Sequence, residues 1–264
     1  MRRTVRVGFL ILFVFLLLGT TVTVFEPHRP LTEQKTEYFV SPDISPSAQW
    51  SHARLNTKQV SHTMVVENYA PASNETRLSK RIYRYDPQSR RARSTLYYRN
   101  DGGWSTSHLY FGEQVKATAL GEATTPTRSA VSDVSARRTT TRYNAFVRAK
   151  KGYLDTQMGE YALEHLNTTS QHLVVGVTTA DGYADFKQID DDRILNGTSY
   201  RAYISRDTGR LVKVEETRRY RDADNQTRSV RTVIRYERFG NTTVSRPDWT
   251  TWSPLELVYD ALSL

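Results

Sequence analysis

The 264-residue chain contains no cysteine. A disulfide framework and N-terminal lipid attachment at a cysteine are therefore excluded, and any folded domain has to be held by its apolar core. Motifs that carry chemistry are missing as well. There is no G-x-x-x-x-G-K-[ST] phosphate loop and no G-x-S-x-G elbow. The histidines at positions 28, 52, 62, 108, 165 and 172 show no H-E-x-x-H or other ligand spacing. Asp190-Asp191-Asp192 and Asp222-Ala223-Asp224-Asn225 lack the glycine and distal glutamate of a calcium loop and read as turns. No nucleophile, acid/base pair or metal cluster emerges, so the expectation is of no enzyme, no catalytic residues, no metal and no cofactor. No internal repeat of fixed period is present, which disfavours a solenoid or propeller.

One stretch lacks charge altogether. Arg2, Arg3 and Arg6 precede Val7–Phe25, an uncharged run rich in Leu, Phe, Val and Ile. As a helix it would span about 28 Å, near the hydrocarbon thickness of a bilayer. Leu16–Thr21 fits a small-residue cleavage site poorly, so the run is expected to be an uncleaved transmembrane anchor rather than a removed signal. Basic residues stay on the cytoplasmic side, which predicts a single-pass protein of the cell membrane with its bulk extracytoplasmic. Asn74, Asn167, Asn196, Asn225 and Asn241 each open an N-x-[ST] triplet and are glycosylation candidates on that side. The first, third and fourth fall in turns or between strands and are expected to be modified more readily than Asn167 or Asn241.

The net charge is +9, and the outer part stays basic without the three N-terminal arginines. Anionic lipid head groups or envelope polymers are partners such a surface suits. Arginines gather at Arg90, Arg91 and Arg93, at Arg137, Arg138 and Arg142, and around Tyr220 at Arg218, Arg219 and Arg221. Arg with Tyr also suits single strands of nucleic acid, but an outward-facing domain is not expected to meet them. Solvated strand faces are the plainer account of these groups.

Residues 1–6 are taken as a cytoplasmic end, 7–25 as the membrane helix and 26–49, with Pro27, Pro30, Pro42 and Pro46, as a linker. Residues 50–249 form a β-rich domain, and 250–264 a tail. Met64-Val65-Val66, "RLSKRIYRYD", "ARSTLYYR" and "WSTSHLYF" read as strands, with turns at Asp86-Pro87-Gln88-Ser89 and Asn100-Asp101-Gly102-Gly103. Glu122 to Thr141 shows no period and reads as a loop. From Tyr143 to His165 apolar residues recur at threes and fours, as in one helix or two short ones. "HLVVGVTT", "SYRAYIS", "RLVKVEETRRY" and "SVRTVIRYERF" are further strands, the last with Arg231, Arg235 and Glu237 on its wet face. Gly240 ends it, Pro247 stops pairing, and Trp249 is expected to fold back as a closing plug.

The order of these elements, with "YISRDTGRLVKVEE" and "RYERFGNTTVSRPDW", resembles a group of haloarchaeal cell-surface proteins. More distantly it is similar to the LolA/LolB and LppX/LprG extracytoplasmic carriers. The resemblance implies an α+β fold: a curved antiparallel half-barrel with one or two helices packed on it, after the N-terminal transmembrane helix. It also implies a membrane-anchored binding or carrier module for a lipid or other hydrophobic ligand, held in an apolar groove between sheet and helices. The rival expectation is a structural or regulatory surface protein whose half-barrel is filled by its own side chains and contacts another envelope component. Oligomeric state and ligand-binding residues are not specified by the sequence.

Overall fold

The computed structural model describes residues 37–70, 76–89, 91–100, 103–112, 115–120, 127–133, 163–189 and 193–248. Helix α1 (Pro46–Lys58) leads into six strands: β1 (His62–Tyr69), β2 (Arg77–Asp86), β3 (Arg91–Asn100), β4 (Gly103–Phe111), β5 (Val115–Leu120) and β6 (Thr127–Asp133). Then come β7 (Glu164–Thr168), β8 (His172–Val177), helix α2 (Ala180–Lys187), β9 (Ser199–Ser205), β10 (Leu211–Arg221) and β11 (Thr227–Glu237). Contacts divide the chain into a unit of residues 28–245 and a second of 1–27 with 246–264. All the elements above belong to the first.

The strands form one eleven-stranded sheet in the order β6-β5-β4-β3-β2-β1-β11-β10-β9-β8-β7. Each half is an antiparallel meander, with most neighbouring strands joined by short connections and α2 lying in the link from β8 to β9. The seam between the halves is the pairing of β1 with β11, which sets Met64 opposite Tyr236 and Val66 opposite Ile234.

Both helices lie on one face, against β7–β10 for α1 and β8–β9 for α2. Ser45 caps α1 by accepting the Ala48 N–H at 3.2 Å, and Pro46 occupies the first turn, where no N–H is needed. Its buried positions are Gln49, Trp50, Ala53, Asn56 and Thr57. That is a helical stripe, but its three polar members hide it from a hydropathy reading. Helix α2 starts on a Thr179 cap and ends at Gln188 in the left-handed region, where the Ile189 N–H returns to the Ala184 carbonyl. Phe186 and Tyr200 pack with ring centroids 4.7 Å apart, and Trp50 stands 6.4 Å from Tyr200. Around them Val175, Ala202, Ile204, Leu211 and Ile234 complete the core. Aromatic side chains of this size each remove roughly 150–250 Å² from water, so this cluster dominates the apolar burial.

Several expectations are corrected. Val7–Phe25 lies outside the described residues, and among those residues no helix is long and apolar enough to cross a membrane. At 13 and 8 residues, α1 and α2 reach only about 20 Å and 12 Å. Among the described residues the architecture is an antiparallel sheet with two short helices, in place of a membrane helix followed by a half-barrel. The single-pass, extracytoplasmic location that rested on that helix is not supported. Within the supposed loop, Thr127–Asp133 pairs with β5. Of the supposed helix from Tyr143 to His165, residues 143–162 lie outside the description and His165 sits in strand β7. Packing also begins before residue 50, since the side chain of Asn56 bonds both the N–H and the carbonyl of Tyr38, each at 2.8 Å.

Candidate binding face

Strand periodicity gives the sheet a second face, turned away from α1 and α2. Along β1, Met64 and Val66 face the helices while Thr63, Val65 and Glu67 face the other way, and all five are buried. Glu67 is only 4% exposed. A buried carboxylate has to be paired, and cross-strand neighbours do this. Arg235 of β11 donates to one oxygen, as does Tyr69 at 3.1 Å. Arg77 donates to the other at 3.3 Å, with Lys80 at 3.9 Å. Burial alone would raise the Glu67 pKa, but the bond and charge of Arg235, helped by Tyr69 and Lys80, outweigh it and hold the carboxyl below its ordinary range.

A second ladder runs beside it. Glu215 of β10 accepts from Lys213 at 2.8 Å and from the Tyr203 hydroxyl at 2.9 Å, and Arg231 lies 3.6 Å away. Here too burial is outweighed by the donors, Lys213 first, so Glu215 titrates low. Burial and the bond to Glu215 push the Tyr203 phenol up.

Between β8 and β11 the same face holds a depression of about 370 Å³, lined by His172, Tyr203, Val212, Lys213, Arg235, Tyr236 and Glu237. It sits at the register shift between Leu211 and Lys213, where an irregular strand bends and opens the surface. Its lining is mostly apolar. The His172 ring meets Tyr203 edge-on at 6.4 Å, and the Lys213 ammonium stands 5.1 Å from the Tyr203 ring. The result is an aromatic and aliphatic floor with Lys213, Arg235 and Glu237 at its rim, both cations already paired with carboxylates.

On the helix side the described side chains form the main core cluster. Glu216 is held there by the Tyr183 hydroxyl and by Lys187 at 3.3 Å. Burial, and then Glu216, push the Tyr183 phenol far up. Trp50, Tyr183, Phe186 and Tyr200 are among the buried core side chains at α1 and α2.

The residues singled out in the sequence are scattered. Asn167, Asn196, Asn225 and Asn241 are all exposed, in β7, two turns and the stretch after β11, while Asn74 lies outside the described residues. Asp222 accepts from the N–H groups of Asp224 and Gln226 and from Arg228, as a turn residue does. Asp190–Asp192, Arg90, Arg137, Arg138 and Arg142 fall outside the description. Among the described residues no three His, Asp or Glu are placed to hold a metal ion. His62 packs on Tyr85, Tyr236 and Phe239, and His108 lies buried beside Thr95.

The closing segment is described as far as Asp248. Pairing with β1 ends at Glu237, ten positions before Pro247. Arg238 and Gly240 turn the chain with positive φ values of 56° and 76°. The Gly240 N–H then bonds the Ser61 carbonyl at 2.8 Å, Phe239 packs on His62, and Thr242 bonds the Thr63 hydroxyl at 3.1 Å. His62 and Thr63 face opposite sides of the sheet, so this segment clasps the start of β1 from both. Trp249 lies outside the described residues. Sequence reading did not single out Tyr203 of β9 or Lys213 of β10, because only the pairing of these two strands sets them side by side.

No family model and no curated protein matches the chain. Among solved structures, the ywiB protein from Bacillus subtilis is similar over 67% of this chain and 91% of its own length, at 8% identity and a TM-score of 0.16. A likeness at that level carries no argument here.

Proposed function

We propose that this protein is a binding module without catalysis of its own, and that the depression beside the β10 irregularity takes a small amphipathic ligand. The fitting chemistry is an apolar or aromatic body that covers Val212 and Tyr203, with an anionic group that reaches Lys213 and Arg235. The carrying observation is the mostly apolar floor of the depression, with Lys213 and Arg235 among its rim residues, on the face that neither described helix covers. Apolar pockets with a few placed polar groups are the usual form of small-ligand sites. The aromatic core cluster at α1 and α2 supports placing a hydrophobic ligand here rather than under the helices.

Fluorescence titration with an anilinonaphthalene sulfonate tests the reading. Saturable binding is expected, weakened at least tenfold by Val212→Glu, which sets a carboxylate in the floor, and by Lys213→Met. Signal that does not saturate, or that both variants leave unchanged, overturns it. The same core cluster equally suits a structural or regulatory protein that meets a macromolecular partner through its charged face, and that reading expects no dye binding at Val212.

A further inference from the structure

The β2–β3 ladder places Arg84 directly opposite Arg93. Side chains in that relation have Cβ atoms roughly 4.5–5.5 Å apart, and like charges there destabilise the pair. Both arginines are half-buried. The Arg93 Nε is buried and has no hydrogen-bond partner. The nearest acid on this face of β2 is Asp86, and its carboxylate is already taken by its own turn. It accepts from the N–H groups of Gln88 and Ser89 at 3.1 and 3.3 Å and from the Ser89 hydroxyl at 2.7 Å. Among the described residues no carboxylate pairs with Arg84 or Arg93. This contrasts with β1, β10 and β11, where Glu67 and Glu215 answer the cations around them.

We infer that Arg84 and Arg93 form a binding site for a tetrahedral oxyanion of the phosphate class. Two guanidinium forks offer more donors than one planar carboxylate can accept, whereas a tetrahedral dianion presents oxygens to both. Thr63 and Tyr110 extend the same row, opposite Arg84 and Arg93 respectively, and put hydroxyl-bearing residues on either side. Burial, followed by the charge of Arg84, pulls Arg93 below the ordinary guanidinium range, as expected of a cation that lacks its counter-ion. The site lies across β1 from the depression and stands independently of the function proposed for it. The anion has two possible sources: free phosphate, or the phosphate group of a larger organic ester.

Thermal melting of the full chain in inorganic phosphate, against chloride at equal ionic strength, tests the site. Phosphate also stabilises proteins generally by exclusion from their surface, so the informative quantity is the difference between parent and variants. The parent melting temperature is expected to rise by several degrees, saturably. Arg84→Met and Arg93→Met should each lose that saturable rise, and Arg231→Met, on the same face, should keep it. Without phosphate, Arg84→Met should melt at or above the parent, because the repulsion is gone. Phenyl phosphate distinguishes the sources: saturation at tenfold lower concentration than inorganic phosphate points to an ester, and equal or weaker binding to the free ion. If the parent and the Arg84→Met/Arg93→Met double variant respond alike to phosphate, the site does not exist.

Discussion

The Thr57 hydroxyl accepts the backbone N–H of Leu211 at 2.9 Å while donating to the Ala53 carbonyl at 2.7 Å. Both Thr57 and Leu211 are fully buried. One hydroxyl therefore joins the last turn of α1 to the start of β10, beside the register shift that shapes the depression. Thr57→Val keeps the volume and removes the acceptor, which leaves the Leu211 N–H dry and unpaired. The expected cost is about 1–3 kcal/mol, read by urea denaturation. Thr57→Ser should recover most of it, and a Val variant as stable as the parent would show that the bond contributes nothing.

Acid should weaken the fold in two steps. His62 is buried, which lowers its pKa, although the Val60 carbonyl bonded to its ring offsets part of the effect. Glu67 and Glu215 are also held low. In every case the unfolded chain binds the proton more readily, so stability rises with pH between the folded and unfolded values. The cost of charging His62 should begin as pH falls below about 6.5, its unfolded value. The carboxylate contribution should be complete above about pH 4.3 and fade as pH falls through the folded values. Unfolding free energy measured from pH 8 to pH 3 checks this. His62→Gln should flatten the upper step and Glu67→Gln the lower one.

Gly176 has a neighbour that forbids a side chain. A Cβ at this position would collide with the Tyr200 carbonyl oxygen across the β8–β9 ladder and stand 3.0 Å from Leu166 Cδ1. Since the obstacle is backbone, the strands have to part. Gly176→Ala is expected to cost about 1–3 kcal/mol despite Ala's better intrinsic standing in a strand. Gly103→Ala, where nothing lies within 4 Å but φ is +118°, separates backbone strain from collision.

The clasp on β1 has its own test. Phe239 lies 5.9 Å from the His62 ring, with the Arg210 guanidinium 5.7 Å from the Phe239 ring centroid. Phe239→Ala removes a partly buried ring and should cost about 2 kcal/mol, less than the 3–5 of a fully buried phenylalanine. Hydrogen exchange at Met64 and Val66 should quicken with it. Unchanged exchange would mean that β1 is held by its ladders alone.

Much of the sheet was legible because its signals are local. The alternation in "RLSKRIYRYD" and "SYRAYIS" and the turn at Asp86–Ser89 need only a few residues to act. They correspond to β2, β9 and the turn after β2. Helix α1 was hidden because Gln49, Asn56 and Thr57 lie in its buried stripe. These are tolerated there only through distant partners, such as the Gly209 carbonyl that Asn56 reaches at 3.1 Å. Strand β6 gave no sign, for its Thr, Ser and Ala do not alternate with apolar residues, and pairing with β5 makes it a strand.

The sequence by itself determined the meanders, the alternation of wet and buried positions and the excess of arginine, since period and charge are properties of neighbours along the chain. Tertiary structure decided which charges are answered. Glu67 meets Arg235 only because β1 pairs with β11, and Arg84 faces Arg93 only through the register of β2 on β3. Shifting either strand by one residue would turn these side chains to the opposite face of the sheet. Pairing register depends on the whole packed sheet, so no short stretch of the chain contains it.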